Sequence, residues 1–147
     1  MHILKNRKCS RGFTLVEIMI VVAIIALIAA IAVPNLLRAR HNANETAAIG
    51  NMRTMVSALE SYRAAQNPPS YPSALTDLSG ADPQYLNDTL GNGDVQGYNF
   101  AFVQVSANQY TLVATPLTDG VTGTRHFFVD ETGVLRAGDD NSGTPLE

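Results

Sequence analysis

Hydrophobic positions in the first part of the chain are continuous rather than periodic. From Ile18 to Val33 the sequence IMIVVAIIALIAAIAV has no polar side chain, and Glu17 is the one charge between Phe13 and Val33. A helix over Ile18–Val33 rises roughly 24 Å, and a start at Phe13 lengthens it to about 31 Å, near the thickness of a hydrocarbon core. Lys5, Arg7, Lys8 and Arg11 precede the run, which keeps that side cytoplasmic while the bulk of the chain crosses. A carboxylate at the depth of Glu17 is costly in lipid and needs a reason.

Beyond Val33 the pattern becomes helical. Leu36, Leu37, Ala47, Ala48, Ile49, Met52, Met55, Val56, Leu59 and Tyr62 recur mostly at three- and four-residue intervals. Arg38, Arg40, Asn44, Glu45, Arg53, Glu60 and Arg63 occupy much of the remaining circumference. This predicts an amphipathic continuation over 35–66, so that one helix runs over 13–66, roughly 80 Å, with one face of its second half on a head domain. Pro34, where the apolar run ends, predicts a kink. Gly50 costs about 1 kcal/mol relative to alanine, and a strand passing close by is the expected reason. Asn67-Pro68-Pro69 stops the helix.

Residues 67–96 read as a connecting region. Ser73 is placed as the cap of a short helix through Leu78, Asp82–Leu86 as a further turn, and Leu75, Leu78, Tyr85 and Leu86 as anchors to the head. From residue 97 the period falls to two. Tyr98, Phe100 and Phe102 alternate, as do Tyr110, Leu112 and Ala114, and Arg125–Asp130 and Val134–Arg136 supply two more strands. Ser106–Asn108 and Glu131–Gly133 suit hairpin turns. The fold class is therefore α+β: a long N-terminal helix and, over 97–147, an antiparallel sheet of about four strands packed on helix residues 47–63.

Charge narrows the partners. If residues 1–12 are removed, six Lys/Arg remain against thirteen Asp/Glu, a net charge of −7. From Gln66 onward only Arg125 and Arg136 oppose ten acids. Such a surface is a poor match for phosphate backbones, so nucleic acid is not an expected direct partner. Cys9 is the sole cysteine, so the head carries no internal disulfide. Its stability comes from burial and hydrogen bonds, or from an ion. No nucleophile motif, zinc spacing, phosphate loop or nucleotide fingerprint is present. No enzyme activity and no cofactor are expected. His41 reads as solvated and His126 as a structural residue of a strand. Asp139, Asp140 and Asn141 offer hard oxygen ligands of the kind calcium takes, and read equally as an acidic tail.

RGFTLVEIMIVVAIIALIAAIAVPN, residues 11–35, resembles the N-terminus of prepilins of the type IV pilus and type II secretion superfamily. The resemblance implies the pilin fold and cleavage between Gly12 and Phe13 by a prepilin peptidase. An ordinary secretory cut near Ala30-Ile31-Ala32 and a lipoprotein reading of Cys9 fit the residues less well. It further implies N-methylation of Phe13, assembly of a homo-oligomeric helical filament by an inner-membrane platform, and pairing of Glu17 with the Phe13 amine of the next subunit. The bland alternative for Glu17 is a carboxylate that reaches for water at the membrane surface. The order of the head strands also resembles pilin-like proteins, and 67–96 takes the place of the variable αβ-loop. On this reading 1–12 is a leader, 13–34 the membrane and polymerisation segment, and the protein passes from a single-pass inner-membrane precursor to an extracellular pilus or a periplasmic pseudopilus. A pilin subunit is the favoured function. A pseudopilin of type II secretion, in a family whose major members bind calcium in a C-terminal loop, and a membrane-tethered periplasmic binding module are the alternatives.

Overall fold

The computed structural model describes residues 12–146, so Cys9 and the basic residues of the leader lie outside the described residues. Two compact units divide at Leu36/Leu37. In the first, the described chain is the start of helix α1, Leu15–Ala65, and every large apolar side chain from Phe13 to Leu36 is exposed. The helical assignment runs without a break through Pro34. It ends where the sequence predicts, with Gln66 donating to the Arg63 carbonyl at 3.3 Å just before the Asn67-Pro68-Pro69 stop.

The second unit is the head. Two short helices, α2 (Leu75–Ser79) and α3 (Asp88–Gly91), precede a six-stranded antiparallel sheet. Its strands are β1 (Asp94–Val95), β2 (Tyr98–Ser106), β3 (Gln109–Pro116), β4 (Phe127–Asp130), β5 (Arg136–Ala137) and β6 (Thr144–Pro145), in that spatial order. The four expected strands are β2 to β5, and two-residue strands at each margin extend them. β4 begins two residues later than its sequence pattern, because the Arg125 carbonyl accepts from the Tyr98 hydroxyl at 2.8 Å. β5 likewise starts at Arg136 rather than Val134, since Leu135 turns inward and its carbonyl accepts from Leu146. The β4–β5 turn closes through Gly133, whose φ of +70° suits glycine, with its N–H on the Asp130 carbonyl.

The core lies between α1 and the sheet. Ala48, Met52, Met55, Ala58 and Leu59 form a helical stripe. They pack on the inward positions of period two, Tyr98 and Phe100 of β2, Tyr110, Leu112 and Ala114 of β3, and Phe127 and Val129 of β4. Cross-strand register aligns these rows, with Phe100 opposite Ala114 and Leu112 opposite Val129. Leu75, Leu78 and Leu86 are buried and Tyr85 packs edge-on against Tyr62, so all four anchors do what the pattern predicts.

Several local expectations are corrected. Ala74, not Ser73, occupies the cap of α2. The Asp77 carboxylate reaches back instead and accepts from Ser73 N–H, Ser73 Oγ and Ala74 N–H, which holds it below the usual carboxylate range. Helix α3 was not legible as a helix, because its four residues are too few to show a period; Asn87 caps it by accepting from Leu90 N–H. Leu36 and Leu37 are exposed and Ala47 is only half-buried, since the sheet covers α1 only from about Glu45 onward. Gly50 has open space where a Cβ would stand, so no strand approaches it.

The last finding yields a stability prediction. Gly50→Ala should stabilise a soluble head beginning at Leu37 by about 1 kcal/mol, because alanine restricts the unfolded chain and meets no obstacle. Urea denaturation reads this as a higher midpoint at unchanged slope.

Candidate assembly site

Helix α1 begins one residue after Thr14, and the reason is local. Thr14 N–H and Thr14 Oγ1 both donate to Glu17 Oε2 at 2.8 Å, and Glu17 N–H donates to Thr14 Oγ1 at 3.2 Å. This is a reciprocal capping box, which satisfies donors that the first turn leaves without partners. Neither expectation for Glu17, an intersubunit partner or a carboxylate reaching for water, included this capping role; the Thr-x-x-Glu spacing was the available signal for it. Both bonds fall on Oε2, and among the described residues no donor reaches Oε1. Phe13, immediately before the cap, is 81% exposed. The geometry thus presents an exposed Phe13, a carboxylate with one free oxygen and an apolar helical surface in direct succession. Among the described residues α1 is the one helix long and apolar enough to cross a membrane, and none of its most apolar window is buried.

In the head, a residue assigned to the polar circumference of α1 turns out to be buried. Glu45 is 8% exposed. Its Oε1 accepts from Thr124 N–H and Oγ1, both at 3.2 Å, and its Oε2 lies 3.8 Å from Arg125. One residue earlier, Asn44 donates to the Thr122 carbonyl at 2.7 Å. Together they fasten the β3–β4 loop to the helix. A Cβ on Gly123 would collide with the Tyr98 ring, so that position admits only glycine. Sequence reasoning missed Glu45 because its spacing from Ala48 and Met52 places it at the edge of the apolar stripe, where identity alone assigned it to solvent.

The remaining candidates do not converge. The Asp140 carboxylate accepts from Ser142 N–H and Oγ, at 2.9 and 2.6 Å, and is held below the usual range by those bonds. Asp139 pairs with His126 Nδ1, and Asn141 is exposed. Among the described residues no group of three or more metal-ligating His, Cys, Asp or Glu side chains forms. His126 lies just before β4 and faces Asp139, which corrects its placement in a strand among aromatics. His41 is half-buried with Nε2 covered and unbonded, rather than solvated.

A tyrosine cluster closes the other end of the sheet. Tyr71 donates to Glu60 at 2.5 Å, lies under the Arg63 guanidinium, and packs edge-on against Tyr110 at 4.7 Å. The phenols of Tyr71 and Tyr98 are each pushed up to about 12, mainly by burial and next by Glu60 and Glu45 respectively. Burial pushes Tyr110 up further, and its hydroxyl has no partner among the described residues.

Comparison with known proteins agrees with this arrangement. The family model described as the prokaryotic N-terminal methylation motif matches residues 7–33, a span that contains Gly12, Phe13 and Glu17. The type IV wide pilus major component PilA4 of Thermus thermophilus is 38% identical over 105 residues, 71% of this chain and 72% of that protein. The type II secretion system core protein G of Escherichia coli is 40% identical over 89 residues, 60% of each chain. The type IV major pilin protein PilA of Myxococcus xanthus is 43% identical over 53 residues, 36% of this chain and 24% of that one. No solved structure matches. A long helix whose apolar start is exposed and whose second half carries an antiparallel sheet is the architecture of a filament subunit. The chain belongs to the type IV pilin family, which includes the type II secretion pseudopilins. It is thus a structural filament subunit made as a membrane-anchored precursor.

Two predictions come from the head. Glu45→Ala should destabilise it by about 1–3 kcal/mol, because buried donors at Thr124 lose their acceptor, while Glu45→Gln should cost less. Chemical denaturation measures both. Raised tyrosine values favour the folded, protonated phenols, so their contribution is complete below the unfolded value near 10 and is lost as pH rises through about 12. The denaturation midpoint should therefore fall between those values, and Tyr71→Phe should flatten part of the fall.

Proposed function

We propose that the chain is a type IV pilin whose precursor is cut between Gly12 and Phe13 by a prepilin peptidase, N-methylated on Phe13, and drawn by an inner-membrane platform into a surface filament. The leader stays cytoplasmic and the head crosses. The observation that supports this most is the succession of exposed Phe13, the Thr14–Glu17 cap and an uninterrupted apolar helical surface. Cleavage creates a terminal amine that is positive at neutral pH. Glu17 Oε1 of a neighbouring subunit is the acceptor for it, while Oε2 stays with Thr14. An unpaired carboxylate buried among apolar helices costs several kcal/mol, so the pairing penalises wrong stagger more than it adds net stability. Pro34 supplies the kink that fits α1 to its neighbours, and no ion is assigned to Asp139, Asp140 and Asn141.

A pseudopilin is the second reading, favoured by the likeness to the Escherichia coli protein G. The two differ in product: a pilin is sheared from the cell surface, whereas a pseudopilin stays in the periplasm. The wide pilus component of Thermus thermophilus matches more of the chain, and this favours the pilus.

Mass spectrometry of the mature protein should find N-methylated Phe13 as the first residue. A chain that begins at Met1 or after Ala32 would overturn the assignment. Gly12→Val should leave uncut precursor in the inner membrane. Glu17→Ala should insert normally and yield few filaments. Glu17→Gln retains an acceptor for Thr14 and lacks the charge, so equal loss with both variants assigns the defect to amine pairing, and recovery with Gln assigns it to the cap.

A further inference from the structure

Between Glu17 and Glu45 the sequence of α1 has no acid, and its only Lys or Arg residues there are Arg38 and Arg40. Residues 38–40, 42 and 43 are exposed and His41 is half-buried, while Glu45 is the first buried residue of the helix. The head therefore begins with a bare neck of α1 over 38–43, roughly 9 Å long. Among the described residues neither Arg38 nor Arg40 makes an ion pair, whereas Arg63 is held by Glu60 and Asn108 and Arg125 by Glu45. Residues two apart on a helix leave it on nearly opposite sides. The two guanidiniums thus form a cationic collar around the neck, open to whatever surrounds it.

The chain just before the collar says what that is. Ile18–Leu37 is a run of twenty residues in which Asn35 is the one polar side chain, and about twenty helical residues cross a hydrocarbon core. Glu17 stands directly before the run and Arg38 directly after it. A chain anchored by this run brings Arg38 and Arg40 to the headgroup layer. That layer adds roughly 5–8 Å on each side of the hydrocarbon, close to the length of the neck. Arginine suits the phosphates found there, because its planar fork of N–H donors binds two phosphate oxygens at once. The rest of the head has no general attraction to an anionic surface, since residues 66–147 carry ten acids against Arg125 and Arg136.

We propose that Arg38 and Arg40 bind the phosphates of anionic phospholipid headgroups in the bilayer that α1 spans, and so fix the depth of the precursor. The proposal rests on the membrane-anchored precursor and adds the lipid chemistry that holds it. A slip of one turn toward the head side would move the chain by about 5.4 Å and carry Glu17 into hydrocarbon, where a carboxylate is costly. Phosphates held at the other end of the run oppose that slip. The chain has no tryptophan, so Ile31→Trp supplies a single reporter. Ile31 is 65% exposed and lies two helical turns before Arg38 on the same face. The full chain carrying it is reconstituted in vesicles of phosphatidylcholine with about one-fifth phosphatidylglycerol, a mixture with a negative surface. Bromine is placed on the acyl chains of one lipid or the other, where it quenches the tryptophan by contact. Quenching per brominated lipid is expected to be about fivefold greater for phosphatidylglycerol. It should be equal for the two lipids in Arg38→Gln/Arg40→Gln, and Arg53→Gln should keep the preference. Equal quenching with both arginines present, or a preference that survives both Gln substitutions, overturns the headgroup assignment and leaves the membrane anchor standing. Loss of filaments in the Gln pair without any lipid preference in the parent chain assigns the arginines to a neighbouring subunit and overturns it likewise. No quenching by either lipid overturns the anchor itself.

Discussion

The first half of α1 has no acceptable place in water. Sixteen large apolar side chains between Phe13 and Leu37 are exposed in the isolated chain. At about 1.5–3 kcal/mol for each side chain taken out of water, their exposure costs tens of kcal/mol. A domain of this size has about 5–15 kcal/mol of net stability to set against that. The segment must therefore be surrounded, by lipid in the membrane-anchored precursor and by other apolar helices in a filament. Lipid and packed apolar helices are nearly equivalent solvents for it, so the transfer between them is small in free energy and the step can be driven.

Continuity of α1 couples that requirement to the head. The stripe from Ala48 to Leu59 belongs to the same helix and serves as the core against which the sheet closes. The head needs no disulfide for this. Tyr98, Tyr110, Phe127, Met52, Met55, Leu59 and Leu112 are fully buried, and the β3–β4 loop, which has no strand partner over most of its length, is tied to the helix by Asn44 and Glu45. A carboxylate does this well because it accepts two donors from Thr124 with one oxygen and keeps the other toward Arg125. The ion pair at 3.8 Å with a half-exposed guanidinium adds little; the hydrogen bonds to Thr124 carry the fastening.

Glu17 illustrates how one side chain meets two demands. A helix N-terminus has donors to satisfy, and a carboxylate among apolar residues has a charge to compensate. Thr14 addresses the first through Oε2. The second is left open within a single chain, because no cation among the described residues approaches Oε1. Its hydrogen bonds are met within the chain and its charge is not, which is the condition the proposed pairing with a neighbour's amine requires.

The membrane segment, the stop at Asn67-Pro68-Pro69, the inward rows of β2 and β3 and the anchors Leu75, Leu78 and Leu86 were legible in the sequence. Each depends on local composition or on a period of two or 3.6, which survives without knowledge of the partner. Gly12, Phe13 and Glu17 were legible as a motif, whereas the Thr14–Glu17 capping box went unread although its Thr-x-x-Glu spacing was present. Tertiary structure alone decided the fate of Glu45, whose burial depends on where a loop eighty residues later comes to rest. It also decided the open space at Gly50 and the pairing of His126 with Asp139. The reason is common to all three. Whether a polar or small residue at the margin of a helix or strand is covered depends on the path of a distant segment, and local periodicity carries no information about that path.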